Sequence, residues 1–178
     1  MSAAYYARPN LLPVLALTMV RSSLVRGIGP ASPLAFAVLG LVQCSLGDEP
    51  GGYGMGQTAL ELIPRVDDAL LRNRAWHVFN AHLRFWREPY GYSQAGLREV
   101  YKQGLECGDL EYATFGAMMS CAISFYHGNP LGELKQEMSA FSTTITDLGQ
   151  GTSLYTHEIH RQAVFNLMGD CEDPNRLV

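Results

Sequence analysis

Helix stops recur along this chain at a nearly constant spacing, and that recurrence constrains the fold more than any other feature. Every second expected helix ends at Gly47, Glu88, Gly128 and Gly169, at intervals of 41, 40 and 41 residues. A period near 40 with short connections is the mark of stacked helical hairpins, each covering an apolar face that its neighbour cannot bury alone. The expectation is therefore all-α: an α-solenoid of about four stacked helical hairpins of tetratricopeptide type, eight helices in all, in a single helical-repeat domain over residues 1–178. Gly47 and Gly128, Gly51 and Gly132, and Ala59 and Ala140 correspond at an offset of 81. An irregular helical bundle is the alternative, because few other side chains repeat.

The best-defined hairpin runs from Ser32 to Pro64. Ser32 is expected to cap the first helix, and Pro33 suits the first helical position, where no backbone donor is needed. Leu34 to Leu46 is nearly all apolar, so this helix must be buried on most sides. Gly47 stops it, and a second helix runs from about Pro50 to Ile63, ended by Pro64. Gly40, Gly52 and Ala59 match the small positions of the tetratricopeptide pattern, and Phe36, Leu39 and Pro64 its large and terminal ones. Glycine weakens a helix by about 1 kcal/mol relative to alanine, so close backbone approach is the expected compensation. Gln43 and Gly56 stand where aromatic residues are usual.

The remaining helices follow from caps and breakers. Residues 1–8 read as the tail of a preceding helix. Asn10 is expected to cap a helix to Arg26, ended by Gly27, Gly29 and Pro30. Asp67 should cap a long helix reaching Arg87, whose Trp76, Phe79, Leu83 and Trp86 form one apolar stripe. Ser93 opens a helix with Leu97, Val100, Tyr101 and Leu105 on one face, closing at Gly108. Asp109 caps the next, with Tyr112, Phe115, Met119, Ile123 and Tyr126 facing inward, closing at Gly128. Asn129-Pro130 starts a helix to Leu148, and Thr152 or Ser153 starts the last, which ends at Gly169.

Composition excludes several classes. A content of 47% hydrophobic and 17% charged residues in 178 is that of a folded chain with a sizeable core. The net charge of −4 argues against a nucleic-acid-binding surface, which is normally basic. Cys44, Cys107, Cys121 and Cys171 show no C-x-x-C spacing, so free, mostly buried thiols in a reducing compartment are the simplest reading, ahead of disulfides or zinc. Leu11–Val20 and Leu34–Val42 fall short of the roughly 20 residues that span a bilayer. The expected location is cytoplasmic, with no membrane partner.

Chemistry-bearing motifs are weak. Gly51 to Thr58 nearly spells the phosphate-cradling G-x-x-x-x-G-K-[ST], but Gln57 replaces the lysine and a helix precedes it where a strand is needed. Helix packing is the better reading. His157 and His160, three apart, are close enough on a helix to share a metal, but no third ligand is apparent. His77 and His82, five apart, should point to different faces. Glu106, Asp109, Glu111, Glu133 and Glu137 read as solvated faces. Arg65, Arg72, Arg74, Arg84, Arg87, Arg98 and Lys102 give the middle of the chain a positive excess, and Arg72, Arg74, Arg84, Arg87, Arg98 and Lys102 form a candidate docking surface for a neighbouring domain. No catalytic residue, cofactor or metal site is assigned.

Several stretches resemble the helical-repeat region of very large bacterial signalling proteins, in which a serine/threonine-kinase-like domain and a predicted ATPase module precede the repeats, and a GAF domain and sensor histidine kinase follow them. They are Tyr5-Tyr6-Ala7-Arg8-Pro9-Asn10-Leu11-Leu12-Pro13, Leu17-Thr18-Met19-Val20, Phe79-Asn80-Ala81, Trp86-Arg87-Glu88-Pro89 and the run from Gly104 to Ala113. The resemblance covers Tyr5 to about Gly169 and consists of packing and capping residues. It implies a segment of a longer chain, a non-catalytic scaffold whose groove binds a partner segment or neighbouring domain. Exposed end-helix faces near Leu11–Val20 or Leu154–Leu167 should favour a homodimer. A small all-α metal- or ligand-binding enzyme using His157 and His160, and a free-standing peptide-binding adaptor, are the alternatives.

Overall fold

A computed structural model describes residues 2–171 and 174, and all regular structure among them is helical. Among the described residues there are nine α-helices: α1 (Ser2–Ala7), α2 (Leu12–Arg26), α3 (Ser32–Ser45), α4 (Glu49–Leu62), α5 (Ala69–Val78), α6 (Tyr90–Cys107), α7 (Leu110–His127), α8 (Leu131–Asp147) and α9 (Gly151–Met168). The short α1 is the one beyond the eight expected, where residues 1–8 read as a helix tail. Contacts divide the chain into two compact units, residues 1–88 and 89–178.

In the first unit α3 is the centre, packed against α2, α4 and α5. Its apolar run explains this: Leu34, Ala35, Phe36, Ala37 and Val38 are all buried, so no side is left for solvent. The approach of α4 is set by glycine. A Cβ on Gly40 would stand 2.5 Å from the Gly52 carbonyl oxygen, and one on Gly52 would stand 2.6 Å from that of Gly40. The two backbones touch where the repeat pattern places its small residues. Gly56, standing where an aromatic is usual, instead receives the Phe79 ring and Leu83.

Three expected caps are displaced by one or more residues. Leu11 holds the N-cap position of α2, and Asn10 lies in a 3-10 turn, Pro9–Leu11. Ala31 holds that of α3, and Ser32 ties the preceding turn together instead: its hydroxyl accepts from the Gly29 N–H at 3.0 Å and meets the Ser23 hydroxyl at 2.7 Å. Asp68, not Asp67, caps α5, accepting from the Leu71 N–H at 2.9 Å. Asp68→Ala should therefore lower stability by about 1 kcal/mol in a urea melt, while Asp67→Ala leaves the midpoint where it was. Equal losses would return the cap to the neighbour.

The helix expected to reach Arg87 changes type on the way. After α5 the chain makes a π-turn, Phe79–Leu83, then a 3-10 turn, Arg84–Trp86. A π-turn holds one extra residue, which rotates everything after it relative to an α-helical stripe. Phe79 and Leu83 are fully buried as expected, but Trp86 is 45% exposed. It leaves the core stripe.

The second unit is built round α7, which packs on α6, α8 and α9 and is buried along most of its length. Here the close approach lies between α6 and α7: a Cβ on Gly104 would meet Ala113, and one on Gly116 would stand 2.8 Å from the Leu97 carbonyl oxygen. The inward face of α6 is Ser93, Leu97, Val100 and Gly104, while Leu105, expected on it, is 39% exposed. Tyr126, expected inside α7, is 63% exposed. This unit starts earlier than expected, since α6 begins at Tyr90 and not Ser93. Asn129 does not cap α8 but folds back, donating to the Ser124 hydroxyl at 2.7 Å.

The two units repeat one order of four helices, α2–α5 and α6–α9. Gly47 and Gly128, matched at an offset of 81, both adopt a positive φ (88° and 83°), a conformation that side chains resist. The match of Ala59 with Ala140 fails, because Ala59 is buried and Ala140 exposed. At an offset of 82 the buried Gly52 and Gly56 of α4 correspond to Leu134 and Met138 of α8, both buried. Where the first unit uses bare backbone, the second uses long side chains.

Candidate functional site

The glycine-rich run Gly51 to Thr58 lies wholly inside α4, so its amides belong to the helix and form no phosphate cradle. Gln57, in the place of the missing lysine, donates to the Tyr53 hydroxyl at 2.6 Å, which donates to Glu88 at 2.9 Å. Arg84 holds the same carboxylate at 2.9 Å and donates to the Asn80 side-chain oxygen at 2.9 Å. This chain of bonds pins the π-turn to α4 and gives Arg84 a structural task.

The histidines are similarly committed. His157 is fully buried, with Nε2 2.8 Å from the Met138 carbonyl oxygen, and burial holds its pKa below the ordinary value. His160 has Nδ1 3.0 Å from the Thr156 carbonyl oxygen and Nε2 3.2 Å from the Tyr126 hydroxyl. The two do not converge on a common point, and no group of three potential metal ligands exists among the described residues. His77 and His82 were expected on different faces. The π-turn brings them together instead, rings edge to face with centroids 6.1 Å apart, because five residues span little more than one turn of such a helix.

The candidate docking cations divide between the two units. Arg72, Arg74, Arg84 and Arg87 belong to the first unit, Arg98 and Lys102 to the second. Arg72 and Arg74, two apart on α5, do not share a face. Arg72 reaches the Val66 carbonyl oxygen at 3.4 Å. Arg98 makes a two-pronged contact with Glu137 at 2.8 and 2.9 Å, and Lys102 stands 3.7 Å from Glu99. Arg84, Arg98 and Lys102 are thus each matched by an acid within their own unit. Glu111 sits in the first turn of α7 and Asp109 at its N-cap position, where the helix dipole favours negative charge.

A cavity of about 210 Å³ opens at the turn between α2 and α3, lined by Met19, Ser22, Ser23, Gly27, Gly29, Pro30, Ala31 and Ser32. It is small for an organic ligand, and its buried hydroxyls, Ser23 and Ser32, already bond each other. The four cysteines carry free thiols, and burial pushes that of Cys121 up to about 12, so it is inert at neutral pH.

What the surface does offer is apolar. Leu12, Ala16, Val20 and Ser23 form the buried stripe of α2, yet its outer face also carries Val14, Leu17, Leu24 and Val25, which are 58%, 57%, 72% and 76% exposed. The outer face of α9 shows Tyr155 and Ile159, 78% and 66% exposed. The stretches Leu11–Val20 and Leu154–Leu167 indicated these faces. The continuation to Leu24 and Val25, with Arg21 between, was missed, although Val14, Thr18, Arg21 and Val25 lie at spacings of four, three and four.

These features define an all-α helical-repeat protein whose polar side chains largely serve its own packing. No helix among the described residues is long and apolar enough to cross a membrane. No protein-family model matches the chain, and neither a curated protein nor a solved structure matches it.

Proposed function

We propose that the chain is a non-catalytic helical-repeat scaffold that mediates protein–protein or inter-domain contacts in the cytoplasm, as a segment of a bacterial signal-transduction protein of the ATPase/histidine-kinase type its sequence resembles. The observation that carries this reading is the outer face of α2, where apolar side chains stand in solvent on a helix whose other side is already buried. Folded chains seldom expose contiguous apolar surface without a partner for it. Support also comes from the occupied state of the polar groups: His160, Arg84, Arg98 and Glu158 all have protein partners.

Incubation of the chain with magnesium and ATP or GTP should give neither hydrolysis nor a thermal shift. Measurable turnover that survives repurification would overturn the scaffold assignment in favour of an enzyme. The alternative that places a metal on His157 and His160 finds no supporting geometry, since the first ring faces the core and the second is engaged at both nitrogens.

A further inference from the structure

We propose that the outer face of α2 receives a single amphipathic helix of a partner protein, one that carries acidic residues beside its apolar seam. The inference rests on the scaffold reading and names the chemistry of the partner. Leu11, Val14, Thr18, Arg21 and Val25 follow one another at steps of three, four, three and four, and all are exposed. Leu17 and Leu24, seven apart, flank them. Alternating steps of three and four are the seam of paired helices, so the shape that complements this face is another helix. The opposite side of α2 is committed to α3 and cannot serve.

Charge decides which helix fits. Arg8, Arg21 and Arg26 are exposed, and no acidic residue occurs before Asp48. Within the seam, the Thr18 hydroxyl already donates to the Val14 carbonyl oxygen at 2.7 Å, which leaves Arg21 as the group that docking would strip of water. A guanidinium taken from water needs a carboxylate opposite it. A second copy of α2 supplies none, so self-pairing through this face would leave the desolvated Arg21 without a carboxylate. A helix with glutamate or aspartate beside its seam meets both demands, apolar and ionic.

The test uses the whole chain and two synthetic peptides of about three heptads, with leucine at both seam positions and either glutamate or lysine beside them. Fluorescence anisotropy should show the glutamate peptide binding at least about tenfold more tightly than the lysine peptide, an advantage that shrinks as salt rises. Arg21→Glu, at an exposed position, should reverse the preference while the circular dichroism and melting curve stay unchanged. A merely sticky surface cannot produce that reversal. Equal binding of the two peptides, binding of neither, or a preference indifferent to Arg21→Glu would overturn the proposal. Tighter association with phosphatidylglycerol vesicles than with the glutamate peptide would overturn it in favour of a membrane surface. A dimer in sedimentation that Arg21→Glu dissolves would overturn it in favour of a second copy. The scaffold reading fails separately, by nucleotide turnover, and survives a negative peptide result.

Discussion

Replacing Gly40 with alanine is expected to destabilise the first unit by about 2–3 kcal/mol, whereas Gly54→Ala, one helix away, is expected to stabilise it by up to about 1 kcal/mol. Both substitutions remove a helix-weakening glycine, and propensity alone predicts a gain at each. The difference is contact. A Cβ at position 40 would stand 2.5 Å from the Gly52 carbonyl oxygen and 3.1 Å from Leu83, while one at position 54 would meet nothing within 4 Å. Because the nearest obstacle is backbone, it cannot swing aside as the end of a side chain could, and α3 and α4 must separate. Urea midpoints of the two variants measure this directly. If both variants gain stability, the helices do not touch through bare backbone and the account of the hairpin is wrong.

Acidification should weaken the fold well before its carboxylates are protonated. Burial, with a smaller contribution from neighbouring His82, lowers the His77 pKa to about 3, and burial lowers that of His82 to about 4. Both folded values lie below the ordinary 6.5, so the neutral rings are what the folded state favours. Their contribution is complete above pH 6.5 and is lost as the pH falls through the range down to the folded values. His77 alone, buried in the core, should remove on the order of 3 kcal/mol between pH 7 and pH 4. His82, which keeps a partly exposed edge, adds less. Glu158 acts in the same direction at lower pH: burial raises its pKa, but the bonds from Arg161 and Ser142 outweigh that and the net shift is downward. Denaturant midpoints at intervals between pH 7.5 and 4 should fall steadily, and His77→Gln should flatten much of the slope. A midpoint constant down to pH 5 would contradict the buried, neutral pair.

The parts of this fold that sequence disclosed are those governed by single residues acting locally. Gly27, Gly47, Gly108, Gly128 and Gly169 were each expected to end a helix, and all five take positive φ. That property needs no neighbour. Caps are less secure, since Ser32 and Asp67 lie next to the residue that holds the position, and the choice depends on what else can use the side chain; Ser32 is drawn to Ser23, nine residues back. The π-turn was beyond reach because its cause is tertiary: Phe79 and Leu83 are seated against Gly56 of another helix. From there came the two errors downstream, Trp86 taken as core and His77 separated from His82.

Of the candidate surface, the composition was visible and the pairing was not. Arg98 and Glu137 are 39 residues apart, and only the packing of α6 and α8 beside α7 brings them within 2.8 Å. A positive stretch in sequence became a set of local ion pairs in space. On α2 the opposite occurred. The apolar face expected near Leu11–Val20 proved longer than expected, continuing through Leu24 and Val25 on a helix whose other side is buried.

The displacement of the tight joint, from α3 and α4 in the first unit to α6 and α7 in the second, bears on how far each half can drift through inheritance. Gly40 and Gly52 each block a side chain at the other, so neither can change first and the pair is locked to hydrogen together. Leu134 and Met138 sit among Cys121, Val164 and Phe141, where one residue can grow as another shrinks. In a lineage of such proteins the α3–α4 joint should be the fossil, and the face between α8 and its neighbours the part rewritten most freely.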